Sequence, residues 1–181
     1  MIDTTNKDTK EVLKIAKRYA DENGIKDIVV ATTRGETGVM TADIFGKDHT
    51  VIAVTHSTGF RNEEEQELKE ENRQKMEEKG AQIFTGPMLF HTWNDYYRKK
   101  KKSVMPSTII ADTLRLFGQG TKVCVEIVSM SMDAGLIGSE PVIAIAGTGY
   151  GADTVLLIAG KNSRRFFDMN IKEVVAKPFR F

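Results

Sequence analysis

The sequence predicts an α/β fold: a mostly parallel sheet covered by helices on both faces. Three observations predict it. Short apolar runs rich in β-branched residues, DIVVA (27–31), TVIAV (50–54) and PVIAIA (141–146), show no polar alternation, as strands buried on both faces do. Segments with helical spacing of apolar residues alternate with these runs, the pattern of βαβ units. Polar loops rich in Gly and Thr follow the strands, where ligands bind in open α/β sheets.

Taken in order, Thr9 to Glu22 reads as a helix: Leu13, Ile15, Ala16, Tyr19 and Ala20 recur at near-helical spacing and Gly24 stops it. Asp27 to Ala31 is the first strand, and a short helix then ends near Gly46. Thr50 to Val54 is the second strand, Asn62 to Lys79 a charged helix stopped by Gly80, and Gln82 to Phe84 lies in a short third strand. The segment from Gly86 to Pro106 interrupts the alternation and reads as an insertion, carrying His91, Trp93, Tyr96, Tyr97 and the basic run Arg98 to Lys102. Ser107 to Leu116 is an apolar helix. Thr121 to Leu136 starts like a strand, but it is too long for one, and Val123, Ile127, Met130 and Ala134 share a helical stripe. Pro141 to Ala146 is the fourth strand and Asp153 to Ala159 the fifth. The turn between them is too short for a parallel crossover, so the fifth strand is expected antiparallel to the fourth. The tail from Ile171 to Phe181 adds a short strand or a docking arm.

The 181 residues suit one domain, 1–181, with the insertion at about 86–106. A net charge of +1 gives no general reason to expect nucleic acid or an acidic membrane as partner. Cys124 has no mate in the chain, which excludes a disulfide scaffold and suits a reducing compartment. The opening residues lack the apolar core of a signal peptide, and no stretch reaches the ~20 apolar residues of a membrane helix, so the expected location is the cytoplasm.

Three loops carry candidate chemistry. Thr32-Thr33-Arg34-Gly35-Glu36-Thr37-Gly38 joins a buried strand to a helix start. Gly permits close backbone approach, the hydroxyls of Thr32, Thr33 and Thr37 can donate to anionic oxygens, and a helix start offers free amides and the positive end of a dipole. That is the physics of a phosphate cradle; the alternative is an ordinary strand-to-helix turn. It is not a Walker A loop, because no Gly-Lys-Ser/Thr follows. Gly147-Thr148-Gly149-Tyr150-Gly151 also follows a strand, but its third Gly comes one residue early for a dinucleotide fingerprint and a strand follows it. A flexible hairpin turn is the plain reading, yet two such loops on one rim of a parallel sheet favour convergence on a ligand. The third loop, Thr55 to Phe60, supplies His56 as a polar or acid–base group, with Thr58 and Gly59 beside it and Phe60 as a stacking ring or a core residue. Asp153 either accepts from a ligand or caps its turn. His49, His56 and His91 lack metal-ligand spacing, so no metal site is expected. No residue pair has convincing acid–base spacing, and no catalytic residue is assigned.

With these residues in view, the chain resembles the stand-alone proteins similar to the C-terminal α/β domain of pyruvate kinase. The matching stretches are IVVATTRGETG, VIAVTHSTGF, TGPMLFH, ADTLRLFGQGTKVCVEIVSMSMDAGLI and VIAIAGTGYGADTVLLI, spread over nearly the whole length. Nothing corresponds to the barrel domain that holds that enzyme's active site, so phosphotransfer from phosphoenolpyruvate is not implied. The resemblance implies a three-layer fold with a mixed five-stranded sheet whose last strand is antiparallel. It also implies a cleft for a phosphorylated ligand, with Thr32, Thr33, Thr37 and Gly38 on the phosphate loop and Gly147 to Asp153 on the loop that folds over the ligand. Thr33-Arg34 stand where pyruvate kinases often carry Lys. The stand-alone relatives are associated with flavin mononucleotide (FMN), so FMN is the expected cofactor and a sugar phosphate in a non-catalytic regulatory module the alternative.

Magnitudes shape that expectation. Three charge-assisted hydrogen bonds contribute roughly 5–9 kcal/mol before an association cost of at least ~4 kcal/mol. A micromolar complex needs about 8 kcal/mol net, so a phosphate cradle needs help from a second anchored part such as a flat ring. The remaining expectations concern partners: no membrane, no nucleic acid on the Arg98–Lys102 run despite its neighbouring aromatic residues, and a subunit contact as a use for that insertion.

Overall fold

The computed structural model describes residues 1–180. Its strands are β1 (Ile2–Asp3), β2 (Asp27–Ala31), β3 (Thr50–Val54), β4 (Gln82–Phe84), β5 (Val142–Ala146), β6 (Thr154–Ala159) and β7 (Asn170–Lys177). They form one seven-stranded sheet in the order β1-β7-β6-β5-β2-β3-β4. The helices are α1 (Thr9–Asn23), α2 (Glu36–Phe45), α3 (Glu70–Glu78), α4 (Thr92–Tyr96), α5 (Pro106–Arg115) and α6 (Gln119–Asp133).

Strands β2, β3, β4 and β5 run parallel, and β6 runs antiparallel to both β5 and β7. The expected antiparallel partner of the fourth core strand is therefore present. The expected count of five is corrected to seven among the described residues, because β1 and β7 extend the edge beyond β6. The last strand, β7, is parallel to the majority, and β1 pairs parallel to it. Phe181, the final residue of the predicted tail, lies outside the described residues.

Alternate side chains of each strand feed opposite faces. Ile28, Val30, Ala53, Ile143 and Ile145 face Val12, Leu13 and Ala16 of α1, Phe45 of α2 and Met76 of α3. Val29, Ile52, Val54, Ala144, Leu156 and Ile158 face Cys124, Val125, Val128 and Met130 of α6. This is a helix–sheet–helix sandwich. α1 starts cleanly because Asp8 accepts from the Glu11 amide while the Glu11 carboxylate accepts from the Asp8 amide, a capping box.

The segment after β3 corrects the sequence reading. Helix α3 covers only Glu70–Glu78, and residues 62–69 form an irregular strap. Polar side chains there compete with helical hydrogen bonding. Gln66 accepts from the Leu68 amide and donates to the His56 carbonyl oxygen, while Glu64 takes a positive φ of 63°. Leu68 is buried in the core, beside Gly35 at the start of α2. The segment read as an insertion holds α4 and a single π-helical turn at Tyr97–Lys101. No helix among the described residues is long and apolar enough to cross a membrane.

Candidate functional site

The parallel strands place the carboxyl ends of β2, β3 and β5 on one rim, and the loops that leave them enclose a cleft of about 520 Å³. That lies in the ~300–1,000 Å³ range of small-molecule sites. Thr32, Thr33 and Thr37 line it from the β2 loop, His56 and Phe60 from the β3 loop, and Gly147, Gly149, Tyr150 and Gly151 from the β5 loop.

Each loop is held by identifiable interactions. Gly35 precedes α2 with φ 103°, a conformation L side chains resist, and a Cβ there would also press on Leu68 and Asn72. Thr32 is buried and its Oγ1 accepts from the Gly38 amide at 3.2 Å, so this hydroxyl fixes the turn while its own proton stays free to donate. Gly38 lies behind the cleft wall, close to Met76 and Thr32. The β5 loop folds back on itself: Asp153 Oδ2 accepts from the Thr148 amide at 2.9 Å and the Asp153 amide donates to the Ala146 carbonyl oxygen. Thr148 and Asp153 thus brace the turn outside the cleft lining. The amino-terminal segment clasps the same loop, as Thr4 Oγ1 donates to the Asp153 carbonyl oxygen and Thr9 Oγ1 accepts from the Ala152 amide. The Arg34 guanidinium lies 5.9 Å from the Tyr150 ring centroid, linking the β2 and β5 loops across the mouth. Thr58 and Gly59 line a smaller neighbouring hollow of about 360 Å³, which shares Phe60, Met88 and His91 with the main cleft.

The sequence reading did not assign the other wall. Lys122 and Glu126, one turn apart on α6, are both buried and form an ion pair at the cleft floor. The Glu126 carboxylate also accepts from the Phe90 amide at 2.7 Å, and His91 Nδ1 lies 3.4 Å from Lys122 Nζ. Burial pushes the Lys122 ammonium below its ordinary pKa against the pull of Glu126. Burial also raises the Glu126 carboxyl, but the His91 hydrogen bond and the Lys122 charge outweigh it and hold the group below the usual carboxylate range. His56 Nδ1 is 2.7 Å from Glu67 Oε2, and Arg61 Nε is 3.1 Å from Glu67 Oε1. The Phe60 ring sits between the two imidazoles, 4.4 Å from that of His56 and 5.4 Å from that of His91, centroid to centroid.

The lining has two chemical halves. Threonines, glycine backbone and Arg34 come from the β2 and β5 loops; Phe60, Met88, Val123, Ile127 and Met130 belong to one apolar cluster. The carboxylates at the cleft are matched: Glu36 is 2.8 Å from Lys69, and Glu126 is paired with Lys122. Among the described residues no group of three His, Cys, Asp or Glu side chains is placed to hold a metal ion. On the insertion, Arg98 and Lys99 pair with Asp95 at 2.9 and 3.1 Å, while Trp93, Tyr96 and Tyr97 are exposed.

No protein-family model matches the sequence. Among solved structures, the chain is similar to Cryptosporidium parvum pyruvate kinase in complex with ADP, at 16% sequence identity and a TM-score of 0.43. That similarity covers 82% of this chain and 22% of the pyruvate kinase chain. The chain thus spans about a fifth of the length of that enzyme.

Proposed function

We propose that the cleft binds a phosphorylated small ligand, with FMN as the specific candidate. The observation that carries this reading is the meeting of the β2, β3 and β5 loops around one cavity of about 520 Å³ lined by hydroxyl- and amide-rich loops and an apolar cluster. The polar loops suit a phosphate: they bring a helix start, threonine hydroxyls and Arg34, and the nearby carboxylate of Glu36 is offset by Lys69. The apolar cluster suits a flat ring against Phe60, Met88 and Ile127. A bound flavin would supply electron-transfer chemistry, and the protein would then be a flavin-dependent oxidoreductase. The lone, buried Cys124 agrees with work in the reducing cytoplasm.

Purified protein mixed with FMN and passed through gel filtration tests this proposal. The expected result is visible flavin absorbance in the protein peak, lost in Thr33→Glu, which sets a carboxylate in the cradle. Equal retention by wild type and variant overturns the phosphate end of the reading.

A second reading, a sugar phosphate in place of FMN, is favoured by the polar groups His56, His91 and Gln119 in the same lining. These suit hydroxyls better than a ring edge alone does. Thermal stabilisation by sugar phosphates without stabilisation by FMN selects it.

A further inference from the structure

We propose that His56 is a catalytic acid–base residue and that the cleft enolises phosphorylated carbonyl compounds, sugar phosphates with a free carbonyl being the substrate class. The inference rests on the phosphorylated-ligand reading above and adds a reaction to it.

The geometry around His56 carries it. The residue lies two positions beyond the end of β3, and the amide of the buried Thr55 between them donates to the Phe84 carbonyl oxygen, which ties the start of the loop to β4. Its Nδ1 is 2.7 Å from Glu67 Oε2. The Glu67 side chain is only 7% exposed, and its second oxygen is 3.1 Å from Arg61 Nε. A carboxylate accepts only, so Nδ1 carries a hydrogen, and it is Nε2 that holds the lone pair in the neutral form of the ring. No described residue takes a hydrogen bond from or gives one to Nε2, and the ring lines the cleft with one face against Phe60. A carboxylate behind an imidazole that lines a ligand cavity and keeps its outer nitrogen unpartnered is the arrangement that orients a general base. Glu67 acts through His56 and is a positioning residue.

The start of α6 lines the same cleft. Its first turn has amides that no side chain caps, with Gln119 in the lining, and these are the donors offered to a developing oxyanion; Lys122, one turn on, is buried and already neutralises Glu126. With the phosphate in the Thr32–Gly38 cradle, His56 Nε2 takes a proton from the carbon beside the carbonyl. The N–H bond forms as the C–H bond breaks. That electron pair becomes the C=C bond, and the carbonyl π pair moves onto oxygen as the enolate. Return of a solvent-exchanged proton to the same carbon restores the substrate with its hydrogen replaced. Delivery to the neighbouring carbon, after a proton shifts between the enediolate oxygens, gives the isomer. No oxidant, reductant or co-reactant is consumed.

The test is solvent deuterium exchange followed by proton NMR, using the full chain with dihydroxyacetone phosphate, ribose 5-phosphate and fructose 6-phosphate as probes. Binding of the same probes is measured by thermal shift. Wild type is expected to accelerate C–H to C–D exchange beside the carbonyl of a probe that it binds. His56→Gln is expected to slow exchange at least ~100-fold, far more than it weakens probe binding. Glu67→Ala is expected to slow it about tenfold, and Glu67→Gln to restore much of the loss, because its amide oxygen still accepts from Nδ1–H. Recovery by Gln separates orientation of the imidazole from simple support of the strap, and circular dichroism checks that each variant is folded. Probe binding without exchange overturns this inference alone, as does exchange that His56→Gln leaves unchanged. Absence of binding by these probes overturns it too; if FMN is also not retained, the phosphorylated-ligand reading falls with it.

Discussion

Replacing Lys122 with Met tests whether the cleft floor is held by charge or by packing. The change removes a cation that pairs with Glu126, lies 3.4 Å from His91 Nδ1 and sits 5.3 Å from the centre of the Phe90 ring. It leaves the Glu126 carboxylate, 2% exposed, with the Phe90 amide and His91 as its remaining partners. Breaking one side of a buried pair typically costs about 3–5 kcal/mol, a large part of a total stability of about 5–15 kcal/mol. With a urea slope near 2 kcal/mol per molar, the midpoint is expected to fall by roughly 1.5–2.5 M at neutral pH. The deficit should narrow as pH falls into the carboxylate range, because protonation removes the unpaired charge. The double variant Lys122→Met with Glu126→Leu should recover most of the loss and keep a deficit of about 1–2 kcal/mol, since the Phe90 amide then lacks its acceptor. A single variant that loses under about 1 kcal/mol, or a double variant no more stable than the single, refutes the view that an uncompensated buried charge sets the cost.

Gly120→Ala places a Cβ 2.6 Å from Thr154 Cβ and 2.7 Å from Asp153 Oδ1, so α6 must shift away from β6. A loss of about 1–3 kcal/mol in urea unfolding and weaker retention of the cleft ligand are expected. Tyr19 titrates late: burial and its hydrogen bond to Glu173 push the phenol up to about 12. A raised folded-state value means that this contribution to stability is full below about pH 10 and is lost as pH rises through the folded value. Urea midpoints across that window should fall less in Tyr19→Phe than in wild type.

Much of the fold was legible because its signals are local. The runs 27–31, 50–54 and 82–84 coincide with β2, β3 and β4, since apolar β-branched stretches bounded by glycine and polar residues have few other solutions. The edge strands were not legible in the same way. β1 is two exposed residues, and the first half of β7 is exposed, so neither shows a buried run. Their pairing comes from tertiary contact rather than local preference. The loops at the site were legible as Gly/Thr clusters after strands. Glu67 was hidden because Asn62 to Lys79 reads as one charged helix, and a helix would have carried this carboxylate on a solvated face. Lys122 and Glu126 were hidden for a related reason: charge on a helix is ordinarily exposed, and nothing local says that this pair faces inward. The apolar stripe of α6 was visible, but its polar neighbours acquire meaning only once the Phe90 amide and His91 are placed beside them.

One strand direction explains why the site exists as a single cleft. Had β6 followed β5 in parallel, the chain would have left the carboxyl rim through a crossover to the opposite end of the sheet. Because β6 runs antiparallel, the five residues from Gly147 to Gly151 stay on the rim where the β2 and β3 loops already lie. The hairpin is tight: a Cβ on Gly147 would crowd the Ala152 Cα at 3.1 Å, and Gly151 holds a φ of 76°. Those constraints fix the loop against Thr4 and Thr9 at the start of the chain and leave Tyr150 projecting outward beside Arg34. A side chain at Gly151 would therefore act on two levels at once. It would strain the turn and push Thr9 away, loosening the clasp that keeps the loop over the cleft.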